Sequence, residues 1–222
     1  MTQAAPRSVA GDRRAPSRGD RQRALIIDAA VNLLGTVPIA DLSVSQIAKR
    51  AGVTRPAFYF YFESKYAVVA AALEQVWREV EQATQGLDSW EFSESPAGLS
   101  ASMINNMVRV WRANSALLTA CAQARSSDAQ LAKMWTDFVD QLTARVTRFV
   151  VALRDTGQIE PASDDVPALV KALIAMPIAI LLDEPGTIPT DRLIEAVKSV
   201  WYVSIWRSGP RAHTVPLGVN ES

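Results

Sequence analysis

Apolar residues recur with helical spacing along most of this chain, and nowhere do they alternate as a half-buried strand requires. Ile26, Ala29, Ala30, Leu33 and Leu34 fall at i, i+3, i+4, i+7 and i+8, one face of a helix. That helix begins near Asp20, a candidate N-cap, and stops at Gly35 and Pro38. Ser43 caps a second helix, with Gln46 three residues on as its capping-box partner and Ile47 and Ala48 turned inward. Gly52 ends it as a residue that tolerates a left-handed backbone. Thr54 caps a third helix, and Pro56 sits in its first turn, where a missing N–H is harmless. A fourth starts near Ser64 and carries Val69, Ala72, Leu73, Val76, Trp77 and Val80 before ending near Gly86.

After a connection over 87–97 that holds Trp90 and Phe92, a fifth helix spans about 96–113 with Met103, Met107, Val110 and Trp111. Asn114 and Ser115 break it and open a short helix through Leu118 and Cys121. A long helix over about 127–156 follows, lined by Leu131, Met134, Trp135, Phe138, Leu142, Val146, Phe149, Val150 and Leu153, and Gly157 ends it. Two more helices cover about 165–182 and 190–208. The first is apolar almost all round and needs partners on more than one side. Pro177 within it frees a carbonyl near Leu173, which marks either a kink beside a pocket or a bend that fits a dimer. On the last helix Val200, Val203 and Trp206 lie off the main apolar stripe of Leu193, Ile194, Val197, Trp201, Ser204 and Ile205. Together the two present more apolar surface than a small core covers, and a second subunit is the natural cover. The fold class is therefore all-α, with about nine helices: an N-terminal three-helix unit and a larger helical domain.

The 222 residues are 49% apolar, enough for a substantial core. The formal net charge of zero conceals an asymmetry. Residues 1–65 carry 10 Lys/Arg against 5 Asp/Glu, and residues 66–222 carry 13 against 18. A basic head on an acidic body fits a polyanion held at one end only. Residues 1–19, with Arg7, Arg13, Arg14 and Arg18, read as a basic tail; a solvated tail is favoured over an arm that enters a minor groove. Residues 209–222 read as a second tail. Cys121 is the only cysteine, which excludes an intrachain disulfide and suits a small buried apolar residue. No secretory signal opens the chain and its longest apolar run is too short for a bilayer, so a soluble cytoplasmic protein without membrane contact is expected. His213, the only histidine, lies in the tail. No catalytic triad, HExxH or phosphate loop can be assembled, so no catalytic residue, metal or cofactor is assigned.

The chemistry concentrates in residues 43–65, two short helices around a tight turn. In such a motif the N-terminal residues of the second helix meet base edges. Here Arg55 offers a bidentate fork to guanine, and Pro56 and Ala57 offer apolar contact to a thymine methyl. Thr54 suits a phosphate at the helix start. Tyr59 and Tyr61 have hydroxyls for phosphate oxygens, and Lys65 adds an ammonium. Phe58 and Phe62 read as core. Singly, an exposed Arg is usually only solvated and a Tyr-rich run is usually packing. The joint pattern within 23 residues outweighs those readings.

Ile47-Ala48, Ala51-Gly52-Val53, Tyr59, Tyr61-Phe62 and Ser64-Lys65 strongly resemble the helix-turn-helix signature of the TetR family of bacterial transcriptional regulators. The run from Arg55 to Phe62 is most similar to the subgroup of the mycobacterial repressor of ethionamide activation. The resemblance implies a DNA-binding domain over 20–65 and a ligand-binding and dimerisation domain over 66–208. It also implies a homodimer on an inverted-repeat operator in double-stranded DNA, and a hydrophobic small-molecule effector that releases it. Thr54, Arg55, Pro56, Tyr59, Tyr61 and Lys65 become the implied DNA contacts. Tyr66 departs from the family, where an acidic residue is usual, and is expected to weaken the start of the fourth helix. Met103, Met107, Trp111, Trp135, Phe138 and Met176, large apolar residues on different helices, are candidates to line an apolar pocket. Each singly is better read as core, and Trp135 is favoured by the resemblance. A helical carrier for an apolar molecule shares that pocket but leaves the basic head unexplained.

Overall fold

A computed structural model describes residues 17–84, 96–184 and 186–206, and among them there are nine α-helices and no strand. They are α1 (Arg18–Leu34), α2 (Val44–Arg50), α3 (Arg55–Tyr61), α4 (Lys65–Ala83), α5 (Pro96–Ala113), α6 (Ser115–Ala124), α7 (Ala129–Asp155), α8 (Val166–Leu182) and α9 (Thr190–Ile205). The expected connection with Trp90 and Phe92, most of the basic tail and the C-terminal tail lie outside the described residues.

Local chemistry sets most helix ends. The capping box at α2 is complete: Ser43 Oγ accepts from Gln46 N, and Gln46 Oε1 accepts from Ser43 N at 2.8 Å. Gly52 has φ +68°, a left-handed backbone that a side chain would strain. Thr54 Oγ1 accepts from Ala57 N at the start of α3. One cap differs from expectation. Asp20 does not cap α1; Ser17 does, and Asp20 closes the box from the third position by accepting from Ser17 N at 3.0 Å. Arg18 and Gly19 therefore belong to the helix rather than to a tail. A serine followed three residues later by an acid is a complete pair of caps, which outcompetes a lone Asp. At the other end of the chain α9 stops at Ile205, so Trp206 lies beyond the helix.

Phe58, Ile26 and Ile47 are fully buried where α1, α2 and α3 meet. α1 also packs on α4 and α6, and α4 continues into the body against α5, α6 and α7. The α7–α8, α8–α9 and α5–α9 pairs complete the body's part of one continuous core, around Leu142, Val146, Leu173, Val197 and Trp201. Cys121 is wholly buried, and burial pushes its thiol up to about 12, so it serves as a small apolar residue.

Pro177 lies inside α8, and the carbonyl of Leu173 has no intrahelical N–H to accept. The indole Nε1 of Trp201 on α9 donates to that carbonyl at 3.0 Å, in a buried position. One residue's missing donor is thus supplied by the neighbouring helix, which binds α8 and α9 together. On the outer side of α9, Val203 is 60% exposed, and Val200 and Tyr202 are exposed beside it.

Candidate nucleic-acid interface and effector cavity

The alternation within the aromatic run decides what α3 presents. Phe58 and Phe62 are four residues apart, both buried, with ring centroids 6.1 Å apart. Tyr59 and Phe60, the first two residues between them, must turn the other way. Tyr59 is exposed, and Phe60 is 83% exposed. Thr54, Arg55 and Pro56 are exposed at the start of the same helix, and Ala57 is half-buried. The outer face of α3 thus carries Thr54, Arg55, Pro56, Tyr59 and Phe60. Sequence reasoning did not single out Phe60. Its signal was present all the same, because a residue two positions from a buried Phe lies on the opposite side of a helix.

Arg55 lies along this face, with one guanidinium nitrogen 3.4 Å from the Tyr59 hydroxyl and its carbon 5.9 Å from the ring centroid. Such a long, exposed contact holds the fork loosely and leaves it free to reach a ligand. No acid stands in the first turn of α3, and Lys49 and Arg50 close α2. The other two candidates are less open. Tyr61 is half-buried, with its hydroxyl 3.4 Å from Gln22 Oε1 on α1. The Lys65 ammonium donates to the carbonyls of Ile39 at 2.8 Å and Ala40 at 3.0 Å. Lys65 thus ties the α1–α2 loop to α4, a role the sequence did not suggest.

In the body, Met103, Met107 and Trp111 come together with Ile174, Pro177 and Ile178 around one almost wholly apolar cavity. Thr84, at the end of α4, is on its wall; its hydroxyl donates to Val80 O and accepts from Arg145 Nε at 2.6 Å. The cavity is only about 50 Å3, room for a water-sized group. The sequence points to a void near Trp111, Trp135 and Phe138; Trp111 lines this small cavity, and Phe138 lines a separate open groove of about 250 Å3 with Leu73, Trp77 and Met134. Trp135 and Phe138 are not on the wall of the small cavity. Trp135 meets Trp111 edge-on at 6.1 Å and stacks on Phe138 at 6.4 Å, and Phe138 in turn meets Trp77. Met176 is half-buried on α8 and off the cavity wall. No helix among the described residues is long and apolar enough to cross a membrane.

Similarity to known proteins agrees with both ends of the chain. The profile of the family described as bacterial regulatory proteins, tetR family, matches residues 26–72. That of the transcriptional regulator EthR, C-terminal domain, matches residues 100–207. The HTH-type transcriptional regulator EthR of Mycobacterium tuberculosis is 30% identical over 199 residues, covering 88% of this chain and 92% of that protein. Its namesake in Mycolicibacterium smegmatis is 28% identical over 214 residues, covering 92% and 95%. Among solved structures, the TetR family transcriptional regulator PfmR of Thermus thermophilus superposes with a TM-score of 0.63 at 14% identity, over 82% of this chain and 99% of that one; at that identity the likeness speaks for the fold alone.

Proposed function

The chain belongs to the TetR family and is a transcriptional regulator with a DNA-binding helix-turn-helix, and from that premise we propose that it is a dimeric repressor released from its operator by an apolar small molecule. Membership in a family of regulators sets aside both an enzyme and a carrier that lacks DNA binding. The observation that carries the proposal is the open face of α3. Buried Phe58 and Phe62 anchor the helix, while Thr54, Arg55, Pro56, Tyr59 and Phe60 are exposed. Arg55 reads a guanine edge, and Phe60, with Pro56 and Ala57, supplies apolar contact to thymine methyls. Thr54 and Tyr59 hold phosphates. Tyr61 and Lys65 reach the backbone from the side of the motif, where they also brace it.

The exposed Val200, Tyr202 and Val203 of α9 support a two-fold dimer built on α8 and α9, which places two heads on an inverted repeat. The effector enters the apolar cavity between α4, α5, α7, α8 and α9. A void of about 50 Å3 admits a drug-sized molecule only after it opens, and the unbranched side chains of Met103 and Met107 can swing aside. Opening displaces Thr84 and with it the end of α4, whose other end carries the head. The ligand shifts DNA affinity only as far as it prefers the opened state.

Two measurements test this reading. The purified protein should retain genomic fragments that share an inverted repeat, and retention of random DNA alone would refute it. Met107→Trp should fill the cavity and abolish the rise in melting temperature that aliphatic compounds give the parent, with operator binding kept.

A further inference from the structure

We infer that Tyr66 positions the DNA-binding head on the body, latching the start of α4 to the α6–α7 corner through Asp128. The inference rests on the head's being the DNA-binding end. The Tyr66 hydroxyl donates to Asp128 Oδ2 at 2.6 Å, across 62 residues of chain. The two oxygens of Asp128 divide their work. Oδ1 caps α7 by accepting from Gln130 N at 2.9 Å and Leu131 N at 3.1 Å, so Oδ2 is held in place for Tyr66. The anchor on the body side is therefore a fixed helix terminus rather than a loose side chain.

The head side is equally tied. Lys65 precedes Tyr66, clasps the carbonyls of Ile39 and Ala40, and lies 5.5 Å from the Tyr66 ring centroid. A continuous path thus runs from the α1–α2 loop through Lys65 and Tyr66 to Asp128 and α7. Beside it α1 packs on α6, but the α1–α2 loop does not. An open cleft of about 660 Å3 separates the α1–α2 loop from α6. Ile39 and Ala40 line one wall of it and Ser127, the neighbour of Asp128, the other. The cleft leaves the α1–α2 loop without support on that side, and the Tyr66–Asp128 bond stands at its edge. The residue type also fits. A carboxylate at position 66 would repel Asp128, whereas a phenol is a neutral donor long enough to reach it. The bond holds the Asp128 carboxyl below the usual carboxylate range, with the Leu131 amide adding to the effect.

Three full-length variants test the latch: Tyr66→Phe, Asp128→Ser and the two combined. Serine keeps a good cap for α7 but has no second oxygen for Tyr66. In DNA-free protein, Tyr66→Phe should speed amide hydrogen exchange at 126–131, far away in sequence, as well as in the α1–α2 loop. Asp128→Ser should speed exchange in the loop and at the start of α4. On an operator fragment each single variant should raise Kd by about three- to tenfold, with binding to random DNA unchanged, because an untethered head must be ordered on binding. The combined variant should be no worse than either single one, since both remove one bond. Unchanged exchange at 126–131 in Tyr66→Phe overturns the inference, as do losses that add in the combined variant. Faster exchange with an unchanged operator Kd overturns the positioning role. Should the parent bind no specific fragment, the regulatory reading fails, and the exchange measurements still decide whether the latch exists.

Discussion

At the scale of single residues, the aromatic run from Phe58 to Phe62 shows how position in a helix assigns opposite roles to like side chains. Phe58 is fully buried and Phe60 is 83% exposed. Arg55→Ala should relax base preference at one operator position and cost roughly 1–3 kcal/mol of specific binding. Phe60→Ala should weaken binding to sites with thymine at the contacted position and leave the fold intact. Equal loss on specific and random DNA for Arg55→Ala would deny it a base contact. Lys65 calls for a different forecast. Two backbone carbonyls hold its ammonium, so Lys65→Ala should lower the stability of the head by about 1–3 kcal/mol in a urea titration. A residue that served only a phosphate would leave stability unchanged and lower the salt slope by about one contact.

At the scale of elements, helix ends and apolar stripes were legible because they depend on neighbours a few positions apart. The Ser43–Gln46 box, Gly52, Pro56 and the 96–113 helix all follow from local rules. Asp20 was misassigned because two cap candidates stood three residues apart, and the reciprocal pair made by Ser17 and Asp20 satisfies more orphan donors. The Leu173 carbonyl illustrates what local rules leave open. Its loss of a partner follows from Pro177, but that Trp201 replaces it does not, since the donor comes from another helix. Trp201→Phe should leave this buried carbonyl unpaired and cost about 1–3 kcal/mol. Pro177→Ala restores an N–H within α8, so Phe at position 201, which lacks the indole N–H, should then be better tolerated. A cycle of the two substitutions in chemical denaturation would measure the coupling, and strictly additive losses would mean the bond contributes nothing.

At the scale of the molecule, the head, the body and the proposed dimer are joined by surfaces that no single helix reveals. Trp206 lies off the stripe of the last helix, which marks it as a dimer contact by spacing alone. It is instead half-buried, with its indole donating to Ser100 and its ring 6.4 Å from Phe149. Val203 is the better probe of an interface. Val203→Glu should give folded monomers with much weaker operator binding, whereas Trp206→Glu should first disturb the packing of α5 and α7. Sedimentation and circular dichroism together separate the two, and an intact Val203→Glu dimer would place the interface elsewhere. The body cavity belongs to this scale as well. Met103, Met107 and Trp111 meet around it, whereas Trp135 packs against Trp111 and Phe138, and Phe138 lines a separate groove beside Trp77.

From the sequence alone came the all-helical class, the helix-turn-helix, the family and the buried role of Phe58, Phe62 and Cys121. Each of these rests on spacing, caps and residue type, which act over one or two helical turns. The tertiary structure alone decided which oxygen holds Tyr66, which carbonyls hold Lys65, which indole serves Leu173 and how small the apolar cavity of the body is. These are matters of distance between segments far apart in the chain. Hydrogen bonds and close packing change sign within an ångström, and periodicity specifies the face a residue occupies but not the partner it meets there.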